Sequence, residues 1–78
     1  MEQIATAEIK AHLMQTNGKY RQLVEKHHEY DRQVEALEAK QALTAQEELE
    51  EHRLKKLKLR LKDEMEQFVS EYKLQHAG

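Results

Sequence analysis

His27 and Asp31 stand four residues apart, the spacing that places two side chains on one face of a helix. An imidazole beside a carboxylate is the minimum equipment of an acid–base pair, and with His28 next door it is also a partial metal ligand set. In a coiled coil the same pattern has a plainer meaning. There a polar side chain on an apolar seam sets the register, and a neighbouring carboxylate holds its ring. His27 falls on such a seam, and His12, His52 and His76 stand at no zinc-binding spacing from it. The expectation is therefore a register-setting His27 held by Asp31, with no catalytic residue, no metal ligand and no cofactor assigned.

A second cluster is basic: Lys55, Lys56, Lys58, Arg60 and Lys62. Such a run can meet an anionic partner, either nucleic-acid phosphates or acidic lipid headgroups. On a helix, however, these cations spread over two stripes flanking a row of leucines. Glu51 lies four before Lys55, and Arg60 and Lys62 lie four before Glu64 and Glu66, so local pairing offsets part of the charge. No aromatic residue interleaves with the run to stack on bases. The cluster reads as a solvated helix flank whose stems cover the edges of the seam, with nucleic-acid or ribosome association as the alternative.

These side chains must be positioned by something, and composition says what. The chain has 78 residues, room for one domain, 1–78. Charged residues make up 36% and apolar ones 38%, which suits narrow stripes along helices better than a broad core. There is no Pro and only 2 Gly, as in long helices and coiled coils. With 13 basic and 15 acidic residues the formal charge of -2 exerts no global pull on nucleic acid or anionic membrane. The absence of cysteine excludes disulfides and thiolate metal sites. No run is apolar enough to span a bilayer, and no basic stretch followed by an apolar one opens the chain, so a cytoplasmic protein is expected.

Ile4, Ile9, Leu13 and Met14 suit a short first helix over about 2–15. Asn17 is a good N-cap and Gly18 weakens a continuous helix, so a second helix is expected over about 18–41. Along it Tyr20, Leu23, His27, Tyr30, Val34 and Leu37 alternate steps of three and four, the heptad pattern. Thr44 and Glu47 read as a capping box, with Leu43 where a hydrophobic staple residue belongs and Glu47, Glu48, Glu50 and Glu51 matching the helix dipole. A third helix over about 45–73 carries Leu54, Leu57, Leu61, Met65, Phe68 and Tyr72 as its inner stripe, and His76, Ala77 and Gly78 should fray. Residues 56–62 alternate like a strand, but Leu and Lys favour helix and both flanks are helical in pattern.

A short turn at about 42–44 makes the two long helices antiparallel neighbours. The expected fold is all-α: an antiparallel, coiled-coil-like helical hairpin with a short N-terminal helical extension. Folding about that turn sets Tyr30 beside Leu54 and Leu57, Leu23 beside Leu61, and Tyr20 beside Met65. Val24, Leu49, Leu59 and Val69 lie off the seam, joined by Ile4, Met14 and Leu74. Leu59 sits two residues from both Leu57 and Leu61, about 200° away around the helix, and cannot face the same neighbour. Burying an aliphatic side chain is worth roughly 1.5–3 kcal/mol, so these leftovers predict a homo-oligomer, a dimer of hairpins forming a four-helix bundle. An unidentified protein partner also fits such a surface.

Two segments resemble a known family. Lys26-His27-His28-Glu29-Tyr30-Asp31, followed by Val34 and Leu37, is similar to one core motif of the YdcH-like family, and Leu54 through Met65, rich in Lys and Leu and ending Lys62-Asp63-Glu64-Met65, resembles its other signature. The resemblance covers about 8–69. Gly18 departs from it, standing where relatives often have Pro, although either residue fits a helix start. The resemblance implies a small bacterial, coiled-coil-forming protein of unassigned activity, and it transfers no active site.

Overall fold

The computed structural model describes residues 5–76. Expectations for Ile4 and the first residues of the first helix, and for Ala77 and Gly78, fall outside that range. The described residues form three helices, α1 (Thr6–Thr16), α2 (Gly18–Glu38) and α3 (Ala45–His76), with no strand among them. The alternating segment 56–62 is helical throughout.

One residue separates α1 from α2. Asn17 is extended, at φ −121° and ψ 105°. Its N–H donates to the Leu13 carbonyl at 2.8 Å and closes α1, while its Oδ1 accepts from the Tyr20 N–H at 3.0 Å and opens α2. The Arg21 guanidinium folds back to donate to the carbonyls of Met14 at 3.0 Å and Gln15 at 3.4 Å, two acceptors that the end of α1 leaves without a helical partner.

Thr44 caps α3 as expected. The Glu47 N–H donates to Thr44 Oγ1 at 3.1 Å and the Thr44 N–H to Glu47 Oε1 at 3.0 Å, a reciprocal box. A cap of this kind contributes about 0.5–2 kcal/mol. Glu48 occupies the fourth helical position, so the half-buried Leu43 has no apolar staple partner there.

Two helix ends differ from expectation. α2 stops at Glu38 and not near 41: the Lys40 N–H bonds the Leu37 carbonyl at 3.1 Å in a tighter turn, and the Lys40 ammonium reaches Glu47. The connection over 39–44 thus runs back beside the first turn of α3. α3 continues past 73 to His76, helped by Lys73 and His76 in its last turn and by the stacking of the His76 ring on Tyr72 at 4.0 Å.

α2 and α3 touch along their length with the order of partners inverted: Glu38 with Lys55, Asp31 with Lys58, Tyr20 with Phe68. Met65 packs against the cluster that contains Tyr20, the Tyr20 ring lies edge-on to Phe68, and Leu23 shares a groove with Glu64 and Phe68. The Tyr20–Phe68 and Asp31–Lys58 pairs lie up to about one turn further along α3 than the expected pairings. Beyond Tyr20 the pairing changes character. His12 tilts onto Tyr72 and Thr6 accepts from Lys73, so the length of α1 spans little more than one turn of α3. α1 therefore crosses the C-terminal end of α3 obliquely.

That crossing builds the larger part of the core. Ile9, Leu13, Tyr20 and Val69 are buried together, with Met14, Val24, Met65, Phe68 and Tyr72 packed against them. Val34, Leu54 and Leu61 are the buried residues of the α2–α3 contact. The molecule is a rod with extents of 52 × 20 × 17 Å.

Candidate interaction surface

The histidine cluster lies on the α2–α3 contact. His27 is half-buried, and burial, followed by the nearby Lys58 ammonium, pushes its pKa below the ordinary 6.5. The expected partner of its ring is engaged elsewhere. Asp31 accepts from Lys58 Nζ at 2.5 Å, across the helix pair, and that hydrogen bond holds its carboxyl below the usual range. No hydrogen bond joins His27 to Asp31 among the described residues; the His27 ring stands edge-on to His28 at 6.4 Å. The reason is reach. A Lys extending from the facing helix brings a full charge to the carboxylate, and the hydrogen bond it makes is the stronger one. Among the described residues no three His, Cys, Asp or Glu side chains group to hold a metal ion.

The basic run divides in two. Lys58 is committed to Asp31, and Lys55 pairs with Glu38 at 3.6 Å and with Glu51 at 3.7 Å, the latter as the sequence spacing predicts. Lys56, Arg60 and Lys62 make no ion pair among the described residues, so the expected pairings of Arg60 with Glu64 and Lys62 with Glu66 do not form.

The seam residues sort cleanly. Tyr20, Val34, Leu54 and Leu61 are buried; Leu23, His27, Tyr30, Leu37, Leu57, Met65, Phe68 and Tyr72 are partly so. Of the off-seam residues within the described range, three are not exposed: Met14, on α1 itself, packs into the core cluster, and two residues of the long helices do the same. Val69 is 6% exposed in the cluster under α1, and Val24 packs against the same cluster. Both are covered because α1 folds across them, a tertiary contact that a two-helix reading omits. Leu49 and Leu59 remain open at 70% and 60% exposure, and Leu74 joins them at 78%.

These three leucines share a face. At about 100° of rotation per residue, Leu49, Leu59 and Leu74 fall within roughly 80° of arc, opposite Leu54 and Leu61. Between them on that outward stripe stand His52, Lys56, Arg60 and Asp63, all exposed. Leu74, expected off the seam, shares this stripe with Leu59. Among the described residues the surface also carries shallow grooves, such as the one between Lys19, Leu23, Glu64 and Phe68. No helix of the described residues is long and apolar enough to cross a membrane.

A family model described as "Protein of unknown function (DUF465)" matches residues 21–68, which takes in α2 after its first turn and α3 as far as Phe68 but leaves out α1. No curated protein and no solved structure matches the chain.

Proposed function

The chain belongs to the YdcH-like family, DUF465, of small bacterial proteins of unknown function, and on that premise we propose that it is a non-catalytic, self-associating helical module that works by protein–protein contact. In this reading α2 and α3 form an antiparallel, coiled-coil-like hairpin, α1 braces its open end, and the outward stripe of α3 is the working surface. The observation that carries it is the set of leucines left open on one face of α3 while the seam residues are covered or partly covered. The leucines are about 15 and 22 Å apart along the helix, and what joins them is their common azimuth on one stripe.

A phosphate-binding role for the basic run is the weaker reading: Lys55 and Lys58 are spent on Glu38, Glu51 and Asp31, and no aromatic residue stands beside the remaining Lys56, Arg60 and Lys62 in the run to stack on bases. The bacterial membership of the family supports a bacterial setting, and residence in the cytoplasm is part of the same proposal. Sedimentation equilibrium at micromolar concentration tests the core of it. The wild type should run as an oligomer, and Leu59→Glu should shift it toward monomer without changing its helical circular dichroism. A wild-type chain that stays monomeric contradicts self-association.

A further inference from the structure

The outward stripe of α3 is polarised in charge. Its N-terminal half carries His52, Lys56 and Arg60, with Glu48 and Arg53 at its two edges, and its C-terminal half carries Asp63, with Glu66 and Glu71 at the same two edges, all exposed. Lys56 and Arg60 have no ion-pair partner among the described residues, and neither do Asp63 and Glu66. We propose that this stripe binds a second copy of the same chain, α3 against α3 in antiparallel register, with Leu49 of each copy against Leu74 of the other. The proposal rests on the self-association reading and adds its orientation and register.

One alignment pairs the end leucines and brings opposite charges together, with Leu59 opposite Glu64. Placing Leu49 opposite Leu74 puts Arg60 opposite Asp63 and Lys56 opposite Gln67, beside Glu66. The two leucines stand near the two ends of α3, so an antiparallel pair closes both ends at once, and Leu59 of each copy lies near the centre. A parallel pair would set Lys56 and Arg60 against their own copies and Asp63 against Asp63, like charges face to face. Charge complementarity thus selects the antiparallel arrangement, and the contact is isologous, which gives a closed dimer with no open end. Because α2 lies on the opposite side of α3, the assembly is a flat row in the order α2, α3, α3, α2, and not a square bundle.

Thiol cross-linking reads the register directly, since the chain has no cysteine of its own. Leu49 and Leu74 are exposed, so cysteine at either place leaves the fold intact, which circular dichroism verifies. Along α3 the two positions are about 37 Å apart at about 1.5 Å per residue, too far for a disulfide within one chain. When the Leu49→Cys and Leu74→Cys chains are mixed under a mild oxidant, the mixed disulfide should form well above its statistical share. In parallel, Lys56→Glu with Arg60→Glu should weaken self-association by about tenfold or more, since each change acts twice in a symmetric dimer. Asp63→Lys with Glu66→Lys should do the same, and mixing the two doubly substituted chains should restore a dimer.

Preferential Leu49-to-Leu49 or Leu74-to-Leu74 linkage overturns the orientation. A wild-type dimer that shows no preferred linkage, or that ignores both charge reversals, overturns the register while leaving self-association standing. A monomeric wild type removes both.

Discussion

At the scale of single residues, the local signals were the readable ones. Thr44 with Glu47, and Asn17 with Tyr20, are satisfied within three residues, so the sequence alone exposes them. The partner of Asp31 was not readable, because Lys58 arrives from another helix and its approach depends on register. His27 provides a prediction at this scale. Burial lowers its folded pKa below the ordinary 6.5 that the unfolded chain retains. The unfolded state therefore binds the proton more readily, and the contribution of His27 is fully present above 6.5 and lost as pH falls through the folded value. Asp31 and Glu47, also lowered, add a second loss at more acid pH, through their own folded values. Urea midpoints should thus fall in two stages on acidification, and His27→Gln should flatten the upper one. A wild-type midpoint constant from about pH 7.5 to 5 would contradict the first stage.

Among the elements, α3 was legible from its cap and stripe, and the start of α2 from Asn17. The end of α2 was not, because no Gly or Pro marks it and the tight turn at Lys40 depends on Glu47 of the next helix. α1 was foreseen as a helix but not as a lid. Its residues have no long-range pattern to reveal what they cover, so the spacing alone places Val69 and Val24 off the seam, where α1 in fact packs. A measurable consequence is the weight of α1 in the fold. Ile9 is 1% exposed, and Ile9→Ala should cost about 2–5 kcal/mol in urea unfolding, in line with core truncations generally. Leu59→Ala, at a far more exposed position on a longer helix, should cost well under half as much under conditions where the chain is monomeric. Equal costs would mean that α1 does not seal the core.

For the whole molecule, the rod follows from helix lengths and a narrow seam, and both were visible in the heptad spacing. What the seam leaves over was only half visible, because deciding between surface and core needed the third helix. A small rod with a thin core has little stability to spare, so association should register in its melting behaviour. Apparent Tm should rise with protein concentration, by about 4–8 °C for each kcal/mol that association contributes. Leu59→Glu should abolish that dependence while leaving the dilute-limit Tm near wild type. Superimposable melts for the wild type at about 5 and 500 µM would count against any stabilising oligomer.

The double service of Asn17 decides where the chain can change length. With one residue closing α1 and opening α2 there is no slack at that junction. A single inserted residue would turn α1 by about 100° about its axis and carry Ile9 and Leu13 away from Val69. The connection over 39–44 is different: it follows the flank of α3 with Leu43 alone half-buried, and an extra residue there can bulge into solvent. Insertions and deletions should therefore be accepted at the second junction and rejected at the first, although both look like ordinary breaks between helices.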